Sequence, residues 1–194
     1  MMKSVPCETM QKLKAYVDLL LKWNAKINLI SDKTVETIWQ RHIEDSAQLL
    51  KSIEDLNVVC LDIGSGAGLP GIILSIFGVK KVILVDSDTR KCIFLSEVKR
   101  LLDLNVEIVN TRIEDIHDIS VDLIVSRGFS SVDEFFYKVQ VVNYTKILMM
   151  KGEKWMSEIK NAQKNWMFDY IDYHSVTNSE SRIIEVYNLC PKQK

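Results

Sequence analysis

The chain lacks most of the features that assign a protein to a class at a glance. Its 194 residues carry 25 Lys and Arg against 26 Asp and Glu, a net charge of −1. Bulk attraction to nucleic acid or to a membrane surface is therefore absent from the composition, and an anionic partner has to be met by a local patch. No run of about 18 apolar residues is present to span a bilayer. Glu8 and Asp18 break up the apolar residues of the N-terminus, which argues against a secretory signal. The four cysteines, Cys7, Cys60, Cys92 and Cys190, are scattered and form no C-x-x-C pair. That excludes the usual metal-ribbon spacing and a disulfide framework, so the expectation is a cytoplasmic protein with no metal site. Internal repeats and low-complexity tracts are missing too. At this length, with 47% hydrophobic and 26% charged residues, one α/β domain with an extension is expected.

What is present is concentrated in residues 58–71, VVCLDIGSGAGLPG. An apolar, β-branched run leads into glycines at alternate positions, Gly64, Gly66 and Gly68, and a helix-compatible stretch begins at Pro70. A buried strand, a tight glycine turn and a helix start form a pocket where backbone N–H groups meet a ligand at close range. The dinucleotide fingerprint G-x-G-x-x-G requires glycine at position 69, occupied here by Leu69. A P-loop requires Lys and then Ser or Thr after its last glycine, but Ile72 and Ile73 follow Gly71. The remaining match is the G-x-G-x-G turn of S-adenosylmethionine (SAM) methyltransferases.

The rest of the chain fits a doubly wound fold. Before residue 52 the periodicity is helical: Met10, Leu13, Val17, Leu20 and Leu21 share one stripe. A second helix is expected from an N-cap at Thr34, burying Val35, Ile38, Trp39, Ile43, Leu49 and Leu50. After residue 57 strands alternate with helices, which implies a mostly parallel sheet covered on both faces. Strands are expected at 58–63, 81–85, 106–110, 121–126 and 146–150. Helices are expected near 71–77, 89–102, 133–142 and 155–166, the third opened by a capping box from Ser131 to Glu134. Strands at 167–174 and 183–189 form a closing hairpin, and residues 191–194 read as a frayed tail. The expected fold is thus a Rossmann-like, seven-stranded, mostly parallel sheet with a C-terminal antiparallel hairpin. Residues 1–52 are its helical extension and residues 53–194 the SAM-dependent methyltransferase domain, packed together as one unit.

Candidate chemistry falls at strand ends, where ligands of open α/β sheets lie. Asp86 ends the second strand, the place where an acid accepts hydrogen bonds from ribose hydroxyls; its plainer role is an acidic turn residue. Ile113 and Glu114 follow the third strand, where an apolar side chain packs on adenine and a polar group meets its edge. Arg127 ends the fourth strand, and its forked guanidinium suits either a methionine carboxylate or a substrate phosphate. Arg41, His42, Glu44, Asp45 and Ser46 crowd one segment with polar side chains, and Lys151 follows the fifth strand.

Taken in order, these segments resemble the RsmG (GidB) family of bacterial 16S rRNA guanine-N7 methyltransferases. The residues that carry the likeness begin with Leu21-Lys22-Trp23-Asn24, Asn28-Leu29, Arg41-His42-Ile43 and Asp45-Ser46. They continue through residues 61–71, Asp86-Ser87, Lys91, Phe94-Leu95, Arg112-Ile113-Glu114, Ser126-Arg127 and Lys151-Gly152. Phe129 directly after Gly128 departs from the pattern, since the family more often has Ala before Phe. The resemblance implies SAM as cofactor, with contacts at Gly64, Leu69, Ile113-Glu114 and Arg127. It also implies 16S rRNA or a small-subunit precursor as partner; a monomer with no membrane role is the accompanying expectation. Guanine N7 carries an in-plane lone pair and no proton, so no general base is needed and catalysis rests on orientation. Arg41, His42, Arg127 and Lys151 are the candidates to orient or hold the RNA, while Trp39, Phe129 and Phe135 are aromatic faces available to an unstacked base. Two alternatives stay open: a SAM enzyme for a small molecule or protein, and a non-catalytic module that keeps the fold.

Overall fold

β-Branched, near-continuous apolar runs build a sheet buried on both faces. In a computed structural model that describes residues 5–192, the strands are β1 (Val59–Ile63), β2 (Lys81–Asp86), β3 (Val106–Asn110), β4 (Ile119–Ser120), β5 (Leu123–Arg127), β6 (Val142–Asn143), β7 (Lys146–Lys151), β8 (Trp166–His174) and β9 (Arg182–Pro191). The main sheet runs β3-β2-β1-β5-β7-β9-β8. Its first five members are parallel, and β9 lies antiparallel to both β7 and β8. The expected seven-stranded sheet with its terminal hairpin is what forms. Between β1 and β5 the strand order reverses, which opens a crevice beyond their carboxyl ends.

The helices are α1 (Cys7–Asn24), α2 (Asp45–Ala47), α3 (Gly71–Ile76), α4 (Thr89–Leu102), α5 (Val132–Val139) and α6 (Trp155–Ala162). One core cluster joins α1, α3 and α4 to one face of the sheet through Leu13, Leu20, Ile72, Leu84, Phe94 and Val98. The other joins α5 and α6 to the opposite face through Ile63, Ile124, Phe135, Phe136, Ile159 and Trp166. The α1 stripe gains Tyr16 and Leu19, both buried. Trp23 donates from Nε1 to Glu97 at 2.8 Å, and the Asn24 side chain accepts from the Leu29 and Ile30 amides at 2.9 Å each. These contacts fasten the extension to α4 and fold the loop that follows α1.

Several expectations need correction. The helix expected from Thr34 is not regular. Thr34 closes a short 3₁₀ turn, Asp32–Thr34, and the chain then passes through a π-helical turn, Trp39–Glu44, into α2 and a second 3₁₀ stretch, Gln48–Ser52. Ile38, Ile43 and Leu49 are buried as expected, while Val35, Trp39 and Leu50 are only partly covered. The third crossing helix stops at Val139, because Val142 pairs with Ile119 in a small β4–β6 sheet. Its capping box is half formed: Ser131 accepts from the Glu134 amide at 3.3 Å, but the Glu134 carboxylate turns to Lys138 at 3.0 Å. The last helix ends at Ala162, Pro191 closes β9, and the Lys192 amide donates to the Asn165 carbonyl at 2.8 Å. Residues 193–194 lie outside those described.

Candidate active site

The glycine turn is built from below and from the side. Gly64 and Ser65 donate their amides to the Val85 carbonyl at 2.9 and 3.0 Å, which ties the turn to the end of β2. The Gly66 amide donates to Asp86 Oδ2 at 2.8 Å, and Asp86 Oδ1 accepts from the Asp88 amide at 2.9 Å. Tyr16, wholly buried on α1, donates its hydroxyl to the Ala67 carbonyl at 2.8 Å. Gly64, Gly66 and Gly68 all have positive φ, a conformation that costs other residues about 1–2 kcal/mol. At Gly64 the space is closed as well, since an added Cβ would meet the Phe129 ring at 2.2 Å.

Asp62 explains the last glycine of the motif. Its Oδ2 accepts the Gly71 amide at 2.9 Å at the start of α3, and a Cβ on Gly71 would collide with that oxygen at 2.7 Å. Oδ1 has no partner. Burial pushes the carboxyl up to about 7, opposed by the Gly71 amide and the Arg127 charge.

A pocket of about 390 Å³ opens at the switch point. It is lined by Ile63, Gly64, Val85 and Asp86, by Ile113 and Glu114, and by Gly128, Phe129 and Lys138. Of the residues singled out in the sequence, Gly64, Asp86, Ile113 and Glu114 come together here. Ile113 is 3% exposed and presents an apolar wall. Glu114 is exposed; its own backbone N–H and then Lys138, 3.4 Å away, hold its carboxyl below the usual range. Gly66, Gly68 and Leu69 are not among the lining residues; Leu69 is buried in the core beside the turn. Of the three aromatic candidates, Phe129 lines the pocket, Phe135 is buried behind it at an edge-to-face distance of 6.4 Å, and Trp39 packs against the core.

A second pocket, about 190 Å³, shares Gly128 with the first. It is lined by Arg41, Asp45, Gln48, Arg127, Lys151 and Arg182, among others. The Arg127 guanidinium is held by one turn of the extension. Nη1 donates to the Arg41 carbonyl at 3.3 Å and lies 3.5 Å from Asp45 Oδ2, and Nη2 is 2.9 Å from His42 Nδ1. The π-helical turn lets a carbonyl at 41, an imidazole at 42 and a carboxylate at 45 converge on one cation, a recurrent use of this distortion. Asp45 in turn accepts from Gln48, Ser175 and Thr177, which docks the β8–β9 turn onto the extension.

Two candidates take different roles from those expected. His42 is buried at 8% exposure rather than facing solvent. Burial, then the Arg127 and Arg41 charges, lower its imidazole to about 4, so it is neutral at pH 7 and unsuited to holding phosphate. Lys151 is not free for RNA: its Nζ donates to Glu158 at 2.8 Å and to the Ser130 carbonyl at 2.5 Å, with 9% of the side chain exposed. Arg41 alone of the four presents an exposed charged side chain; its carbonyl, not its guanidinium, serves Arg127. Tyr16, Asp62 and Arg182 were missed. Tyr16 falls at helical spacing after Leu13 and Asp62 lies within the glycine motif, so both had a signal. For Arg182 the sequence holds none.

The model of the family described as rRNA small subunit methyltransferase G matches residues 9–186. The chain belongs to that family. Among its relatives, the ribosomal RNA small subunit methyltransferase G of Rickettsia felis is 43% identical over 189 residues, covering 97% of this chain and 98% of that protein. The protein of the same name from Rickettsia typhi is 44% identical over 186 residues, covering 95% and 97%. Solved structures share the fold at much lower identity. A SAM-dependent methyltransferase from Aquifex aeolicus aligns with TM-score 0.61 at 18% identity, covering 89% of this chain and 97% of that one. Magnesium protoporphyrin IX methyltransferase from Synechocystis with bound SAM aligns at 0.62 and 13%, covering 96% and 99%. This family member is a SAM-dependent rRNA methyltransferase.

Proposed function

We propose that this enzyme transfers the methyl group of SAM to N7 of a guanine in 16S rRNA, with the larger pocket holding the cofactor and the smaller one receiving the RNA. The observation that carries the reading is that the two pockets share Gly128 in their linings, directly between Arg127 and Phe129. The residues fit the cofactor. Gly64 offers bare backbone where a side chain would intrude, Asp86 supplies a carboxylate at the ribose position, and Ile113 gives an apolar wall for a ring. Gly66 and Gly68 shape the turn, and the main chain at Leu69 continues it into α3. SAM, when bound, supplies a methyl group on a sulfonium, which needs no activation to react with a neutral nitrogen.

The chain's own contribution is therefore placement. Arg127, fixed by three groups, offers its remaining N–H groups to a carboxylate or phosphate beside Gly128. Arg41, exposed at the rim, suits RNA phosphate. Phe129 belongs to the cofactor pocket, packed on Gly64 with Lys138 Nζ 4.8 Å over its ring, and so fixes the side of that pocket nearest Gly128. Each of these is an orientation effect, and orientation supplies as much as about 7–11 kcal/mol of a barrier. No buried acid–base pair is required, and none of the pocket residues forms one. We read residues 1–52 as a buttress for the glycine turn and Arg127, packed as one unit with residues 53–194, and the enzyme as a cytoplasmic monomer acting on the small subunit or its precursor. Incubation with labelled SAM and undermodified 16S rRNA, followed by nucleoside analysis, tests the reading; a ribose or adenine product contradicts it.

A further inference from the structure

The hydrogen bonds around His42 fix its protonation from two independent sides. An arginine side chain has donors only, so His42 Nδ1, 2.9 Å from Arg127 Nη2, is the acceptor and carries no proton. On the far side of the ring, Nε2 lies 2.8 Å from Thr34 Oγ1. The single hydroxyl proton of Thr34 is already given to the Ser31 carbonyl at 2.7 Å, so Oγ1 accepts here and Nε2 is the protonated nitrogen. Both ends of the ring require the same neutral tautomer. Of the five N–H groups on Arg127, Nη1 gives one to the Arg41 carbonyl and stands in a 3.5 Å ion pair with Asp45, and Nη2 gives one to His42. That leaves the Nε–H and one Nη2–H without a partner among the described residues, on a guanidinium with 20% of its side chain exposed in the smaller pocket, next to the shared Gly128.

We infer that Thr34 and His42 are positioning residues, which aim the two free N–H groups of Arg127 at an oxyanion by holding His42 as the tautomer protonated on Nε2. The oxyanion is a carboxylate, as on the amino-acid end of the cofactor, or a phosphate, as on the RNA. The inference rests on the reading that Arg127 contacts a ligand. Its geometry gives the π-helical turn a use, since the Arg41 carbonyl, the His42 ring and the Asp45 carboxylate all reach one guanidinium. It also gives Thr34 a task that its weak helix-start signal conceals. A ring flipped to the other tautomer would set N–H against N–H and turn the guanidinium away.

Paired substitutions separate positioning from mere packing. In His42→Asn the side-chain oxygen stands near the place of Nδ1 and still accepts from Arg127. In His42→Gln the amide reaches the place of Nε2, keeping Thr34 and abandoning Arg127. SAM affinity by calorimetry and RNA affinity by filter binding distinguish the two oxyanion sources. For whichever ligand Arg127 holds, H42N is expected within about threefold of wild type and H42Q weaker by tenfold or more, with equal melting temperatures. Thr34→Val repeats the contrast if H42Q fails to fold, with severalfold weakening restored by Thr34→Ser. In ¹⁵N spectra at neutral pH, the histidine signal that vanishes in H42N should show an unprotonated Nδ1 and a protonated Nε2. Equal losses in H42N and H42Q, or a proton on Nδ1, overturn the inference. Arg127→Lys distinguishes the other failure: if it binds both SAM and RNA like wild type, the reading of Arg127 itself is wrong.

Discussion

Asp86→Ala is the perturbation whose size the structure defines best. The carboxylate accepts the Gly66 amide at 2.8 Å and the Asp88 amide at 2.9 Å, one on each oxygen. It lies in the wall of the larger pocket and is only half-buried. Hydrogen bonds to a charged group contribute about 1.5–3 kcal/mol net, and water that reaches this site holds each near the low end. Stability should fall by about 2–3 kcal/mol, seen as a lower urea midpoint with an unchanged slope. Asp86 lines the larger pocket, and on the proposed reading its carboxylate also accepts hydrogen bonds from ribose hydroxyls of SAM. Losing those bonds adds about 1.5–3 kcal/mol to the binding deficit, which is roughly 10- to 150-fold in Kd by calorimetry. Asp86→Asn should do little better, because its amide nitrogen would face one of the two amides as donor against donor. An Asp86→Ala protein that is folded and binds SAM like wild type would refute the reasoning.

Gly64→Ala should cost more than Gly66→Ala, because its Cβ meets the Phe129 ring at 2.2 Å, whereas at Gly66 the nearest atom is 3.8 Å away and only the positive φ counts against the residue; thermal melts of the two variants side by side check the order. Lys151→Met should destabilise by about 2–3 kcal/mol, since it leaves Glu158 without its cation between α5, α6 and β7; an unchanged melting temperature would contradict that role. Arg41→Ala should weaken RNA binding and reduce the salt slope by about 0.7, leaving SAM affinity alone, because the carbonyl that serves Arg127 is retained. The pH dependence should show two opposing groups. His42 titrates lower in the folded chain than its ordinary 6.5, so its contribution is present above about pH 6.5 and is lost as pH falls towards 4. Asp62 titrates higher, about 7 against 3.8, so its carboxyl costs stability as pH rises through that window. Removing the first, in H42N, should leave stability falling by about 2–3 kcal/mol more than wild type from pH 4.5 to 6.5; parallel urea-derived curves would show that the two do not compensate.

The sheet was legible because its strands are uniform apolar runs and its switch point coincides with the glycine turn. Asp86, Ile113 and Glu114 were legible for the same reason: strand ends of a doubly wound sheet have fixed positions relative to the crevice. The Arg41–Asp45 segment was legible as a cluster but not in its role. Polar residues on one side of a helix read as solvent-facing, and the sequence gives no sign that a π-helical turn folds them inward onto Arg127. Lys151 misled in a similar way, since the partner that neutralises it, Glu158, comes from the next helix through a packing that periodicity does not encode. Arg182 entered the second pocket only because β9 lies antiparallel to β7, pairing it with Lys151.

The most direct test of the central claim is the identity of the methylated nucleoside. Purified protein, tritiated SAM and undermodified 16S rRNA or small subunits are incubated, and the digested RNA is resolved by chromatography and mass spectrometry. The account predicts label in 7-methylguanosine, reduced at limiting SAM concentration in Asp86→Ala. Label in a ribose-methylated nucleoside or in methyladenosine, or SAM binding with no transfer to the RNA, would contradict it.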